Sequence, residues 1–86
     1  MTVTVPGYSS VSGNPLAIAT LLRSSAVYVE SDNLSLAEYA EAIERTAATV
    51  FETPLNVIGD TMETRAESLL REMYRAGMIE IEEDTP

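Results

Sequence analysis

From Met1 to Val5 apolar and polar residues alternate, with Met1, Val3 and Val5 on one side and Thr2 and Thr4 on the other. A period of two in β-branched residues predicts a half-buried strand over 1–5. Pro6-Gly7 stops it, and the next, Gly/Ser-rich run reads as a loop over 6–14. Asn14-Pro15 is a helix start: a capping side chain, then proline at the first helical position, where its missing N–H is no loss. The helix predicted from there covers 15–29. Its apolar residues run from Leu16 and Ile18 through Leu21 and Leu22 to Val27 and Val29 and cover most of the circumference. A helix apolar all round needs cover on every side.

The next start is the sharpest local signal in the chain. Ser35 and Glu38 have the spacing of a capping box, with Leu34 and Tyr39 at the flanking staple positions. A second helix is predicted over 36–52, with Leu36, Tyr39, Ala40, Ile43, Ala47, Val50 and Phe51 on one face. Thr53-Pro54 breaks it. A third helix is predicted over 54–76, bent or broken near Gly59, where Asp60 and Glu63 offer a fresh cap. Its stripe is Met62, Ala66, Leu69, Leu70 and Met73. Gly77 is the expected C-terminal glycine, placed so that Met73 and Met78 touch across it. Alternation returns over 78–82, with Ile79 and Ile81 inward and Glu80 and Glu82 outward, and 83–86 is an acidic tail. The two terminal segments match in length and pattern and are expected to pair. The fold class is therefore mostly α (α+β): a single small domain, 1–86, of three helices with a short two-stranded ribbon.

Composition narrows the chemistry. The 86 residues include fourteen acids and five basic residues, for a formal charge of −9, with no His and no Cys. All five basic residues are Arg, so Lys is absent too. These absences remove thiol nucleophiles, Ser–His dyads, N/S zinc sites, Schiff bases and the phosphate-loop lysine. No enzyme activity, metal or cofactor is expected. The negative charge gives the electrostatic part of nucleic-acid binding the wrong sign, and the same holds for anionic membranes. No direct nucleic-acid or membrane contact is expected. No basic residue precedes Arg23, so no secretory leader is legible. A soluble protein of the cytoplasm or of a virion is the expectation. Arg used to the exclusion of Lys fits GC-rich coding, or a phage of such a host.

The run Ser68 to Ile81 resembles the last helix and first wing strand of a winged-helix domain, with Leu36 to Ile43 in place of the preceding helix. The resemblance implies a DNA-reading helix. Here that helix carries Glu63, Glu67 and Glu72 among Arg65, Arg71 and Arg75, and the stretch ahead of it is longer than the family's tight turn.

The leading functional expectation is a non-enzymatic protein–protein interaction or assembly subunit. It would associate with itself or dock into a larger complex, such as a phage structural component. Ile18, Leu21, Leu22 and Val29 are the expected contact residues, with Tyr28 as a rim anchor. The alternative is an acidic inhibitor, a nucleic-acid mimic of the anti-defence or antitoxin type. It would block a basic partner surface with Glu63, Glu67, Glu72, Glu80 and Glu82.

Overall fold

A computed structural model describes residues 1–30 and 33–83. The elements run in the order β1 (Thr2–Thr4), β2 (Ser10–Ser12), α1 (Pro15–Ser24), α2 (Leu36–Thr49), α3 (Met62–Arg75) and β3 (Glu80–Glu82). The three strands form one antiparallel sheet in the order β2-β1-β3. This is a small mixed α+β fold in which α1 packs most extensively against α3.

The expected pairing of the terminal segments is present, with Val3 opposite Ile81. The ribbon has a third strand, however. Ser10–Ser12 lies in the expected loop, because its one apolar residue, Val11, gives no hydrophobic alternation. It is held as a strand by hydroxyl pairs: Thr2 to Ser12 at 2.8 Å and Thr4 to Ser10 at 2.7 Å. Cross-strand hydroxyl pairs of this kind stabilise a ladder without burying a large side chain. β3 pairs with β1, a strand that precedes all three helices.

The core combines Val3 and Val5 with Ile18 and Leu22 of α1, Tyr39 and Ile43 of α2, Leu69, Leu70 and Met73 of α3, and Met78 and Ile79. Each helix begins on the expected kind of cap. Asn14 Oδ1 accepts the Ala17 N–H at 2.8 Å. Ser35 and Glu38 close their box in both directions. The third box uses Thr61 and Thr64 instead of Asp60 and Glu63, one residue later than expected.

The helix ends are where expectation and structure part. α1 stops at Ser24, not at 29. The Ala26 N–H donates to the Arg23 carbonyl and the Val27 N–H to the Leu22 carbonyl, both at 3.1 Å, with Ala26 at φ 52°. This is a Schellman closure with alanine in the left-handed position. α3 ends with the same pair of bonds, from Gly77 to Tyr74 at 3.0 Å and from Met78 to Met73 at 2.9 Å, with Gly77 at φ 81°. α2 stops at Thr49, not at 52. Glu52 takes φ 52° and the Thr53 N–H returns to the Ala47 carbonyl at 3.0 Å. Val50, expected on the core face, is consequently 69% exposed.

The segment from Thr53 to Asp60 is extended, not helical. Leu55 and Val57 turn inward, while Pro54, Asn56 and Ile58 face out. α3 offers this strap side chains where a strand would offer backbone. The Ile58 N–H donates to Ser68 Oγ at 2.9 Å, the Asn56 N–H donates to Glu72 Oε1 at 2.8 Å, and Arg75 donates to the Pro54 carbonyl at 2.8 Å. Residues 68, 72 and 75 share one face of a helix. Gly59 closes the strap against the first turn of α3. A Cβ there would lie 2.6 Å from Thr64 Oγ1 and 2.8 Å from the Arg65 nitrogen, and its φ of +140° is itself unfavourable for other residues. The expected tail lies outside the described residues except for Glu83, which pairs with Arg71 at 2.8 Å.

Candidate functional site

Two of the clefts among the described residues are lined mainly by apolar side chains and are open to solvent. The first lies between α1 and the β1–β2 hairpin. Tyr8, Val11 and Leu21 border a cleft floored by Val5, Leu22 and Val27. Tyr8 is 59% and Leu21 46% exposed. Tyr8 is not among the contact residues expected from the sequence; a lone aromatic in a Gly/Ser run is the only signal that could have marked it. The second surface is a groove between α2 and the N-terminal half of α3, with Val57 of the strap at its base and Met62 at its edge.

The expected contact residues divide. Ile18 is fully buried in the core, and Leu22, also buried, is reached only as part of the floor of the cleft beside Leu21. The cover that the sequence pattern left open to either a partner or the other two helices comes from α3 and α2, with Val3 and Val5. Leu21, one residue from Leu22 and about 100° round the helix, stays open. Val29 is half-buried and packs against the core cluster. Tyr28 is 37% exposed, but its phenol donates to the Met78 carbonyl and its ring meets Phe51 edge-on at 5.6 Å. It braces the fold instead of standing free at a rim. Burial raises the Tyr28 pKa, and the neighbouring Tyr8 adds to the shift. The Tyr39 phenol donates to the Val27 carbonyl at 2.7 Å, and its pKa is pushed up by burial first and by Tyr28 second.

The acidic face divides too. Glu72 is committed to Arg75 at 2.8 Å and to the Asn56 amide, and those two bonds hold its carboxyl below the usual range. Glu67 pairs with Arg71 at 3.4 Å. Glu63 stands in the first turn of α3, where a carboxylate favours the helix N-terminus. Glu80 and Glu82 are exposed on β3, in register with Thr4 and Thr2. The five do not form one uninterrupted charged surface, because arginines neutralise part of it. Among the described residues no three acidic side chains converge to hold a metal ion, and no helix is long and apolar enough to cross a membrane.

Comparison with protein-family models, with curated proteins and with solved structures gives no match for this chain.

Proposed function

We propose that the chain is a non-enzymatic interaction or assembly subunit that meets another polypeptide through the face shared by α1 and the β1–β2 hairpin. The observation that supports this reading is the pairing of Leu21 with Tyr8 over an apolar cleft. Covering a leucine is worth about 1.5–3 kcal/mol, and a tyrosine beside an apolar pocket is a favoured anchor. The lack of His, Cys and Lys speaks for binding and against catalysis.

The acidic-inhibitor alternative has less support, since Glu67 and Glu72 are already engaged by Arg71 and Arg75. Salt separates the two. Contact through an apolar face persists or strengthens as salt rises, whereas an acid-on-base complex weakens steeply. Light scattering at low and high salt, on the wild type and on Leu21→Glu, tests the self-associating form. The expected result is an oligomer at both salts that the substitution converts to a folded monomer. A wild-type monomer under both conditions removes that form.

A further inference from the structure

We infer that two copies of the chain join edge to edge through β2, merging their sheets into one about a two-fold axis at Val11. The inference rests on the reading that the α1–hairpin face meets another polypeptide, and it names that polypeptide as a second copy. The pleat of the hairpin sets what the edge offers. The Gly13 N–H donates to the Met1 carbonyl at 3.1 Å, and this pair continues the register that sets Val3 opposite Val11. Bonded pairs recur at every second residue of an antiparallel ladder, so Val3 and Val11 are the next such pair. Thr2–Ser12 and Thr4–Ser10 are the closely spaced pairs between, which brings their hydroxyls together. The N–H and C=O groups of Ser10 and Ser12 therefore point away from β1, off the outer edge of the sheet. Among the described residues they find no partner there.

Charge names the occupant. No charged side chain occurs from Met1 to Leu22, and all fourteen acids and five arginines fall within 23–86. Two copies at −9 each repel wherever their acidic surfaces meet. The hairpin with α1 up to Leu22 is the stretch where they can touch without bringing like charges together. The opposite edge of the sheet is the contrast. β3 carries Glu80 and Glu82 with Glu83 behind them, so a second strand of its own kind would set glutamate against glutamate. β2 reads Ser-Val-Ser and has no such guard. It is also self-complementary. Laid antiparallel to itself about Val11, it sets Ser10 opposite Ser12 of the second copy, and the outward groups of each pair exchange both bonds. Val11 then meets its own counterpart on the face where it lines the cleft with Tyr8 and Leu21. A second copy brings a strand already ordered by β1 and a second such cleft. A free peptide would have to be ordered along a three-residue edge.

The chain has no cysteine, so a single introduced thiol reports the register. In the closely spaced pair at the axis the two Cα atoms are about 4.5 Å apart, within disulfide reach. Ser10 and its counterpart lie on a diagonal of about 7–8 Å, past that reach. Under mild oxidation of the full chain, Val11→Cys should form a disulfide-linked dimer about tenfold faster than Ser10→Cys, read on a non-reducing gel. Ser12→Pro removes an outward N–H and spares the ladder to β1. It should weaken the dimer about tenfold or more in sedimentation, while Ser12→Ala, which keeps that N–H, should stay within about twofold of wild type. If Ser12→Pro does not fold, the cysteine comparison decides alone. Equal cross-linking of the two cysteines, or an undiminished dimer in folded Ser12→Pro, overturns the strand pairing; if Leu21→Glu still dissociates that dimer, the α1–hairpin contact stands without it. A wild-type chain that stays monomeric at every concentration overturns the inference together with the self-associating form.

Discussion

The exits of α1 and α3 share one hydrogen-bond pattern and differ at one residue. In each, the residue past the left-handed position is buried and apolar, Val27 after α1 and Met78 after α3. In each, that residue's carbonyl is taken by a tyrosine hydroxyl, from Tyr39 and Tyr28 respectively. Where α3 places Gly77, however, α1 places Ala26. An alanine with positive φ costs roughly 1–2 kcal/mol relative to the right-handed region. The closure survives at α1 because the buried Val27 and the two returning amides over-determine it. A buried residue just past a helix can thus fix where it ends, without the glycine that usually marks the place.

Substitutions test that comparison. The largest effect is expected from truncating the apolar plug: Met78→Ala should destabilise by about 2–5 kcal/mol, read as a shift in the urea midpoint. Removing the hydroxyls comes next. Tyr39→Phe leaves a buried carbonyl unpaired and should cost about 1–3 kcal/mol, while Tyr28→Phe, at a partly exposed site, should cost about 0.5–1.5 kcal/mol. Equal losses would mean the two caps are not graded by burial. The left-handed position ranks last. A Cβ at Gly77 meets nothing within 4 Å, so Gly77→Ala isolates the backbone strain and should lose about 1 kcal/mol. Ala26→Gly relieves the same strain against an entropy loss of about 0.5–1 kcal/mol, and should gain up to about 1 kcal/mol in thermal unfolding. If it destabilises instead, Ala26 is not strained.

The pH dependence distinguishes the same two caps. Both phenols have pKa values raised in the folded chain, by burial first. Their contribution is therefore whole below the ordinary phenol value of about 10 and is lost as pH rises toward the folded-state values. Stability measured from pH 8 upward should fall beyond about pH 10, and the fall should be shallower in Tyr39→Phe. An identical alkaline limb in that variant would show that Tyr39 does not carry the effect.

The features legible in the sequence are those that local chemistry writes there. The Asn14-Pro15 and Ser35/Glu38 starts, the Tyr39–Ile43–Ala47 face and the pairing of the terminal strands are all local or periodic signals. The end of α1 is not legible, because its marker is an alanine and its cause lies in distant partners. β2 is hidden because serine hydroxyls hold it, and they leave no hydrophobic period. The burial of Ile18 and Leu22 is hidden for a different reason: it comes from α3, α2, Val3 and Val5, which are distant in sequence or on another element. The strap reads as helix because Leu55 and Ile58 sit at helical spacing. Leu55 and Val57 alternate equally well, and the decision rests with Ser68, Glu72 and Arg75, which lie ten or more residues away. Leu21 is legible as apolar; that it alone of the Ile18, Leu21 and Leu22 group stays open depends on the rotation of α1 against α3.

The sheet order β2-β1-β3 has a consequence for how the molecule is made. Among the described elements its central strand comes first in the chain, and one of that strand's two neighbours only after all three helices. While the chain is growing, β1 has the hairpin beside it and an open edge on the other side. A chain cut back to Ile79 keeps all three helices but leaves that edge of β1 unpaired, so a protease should find the first dozen residues far easier to cut in it than in the 86-residue chain.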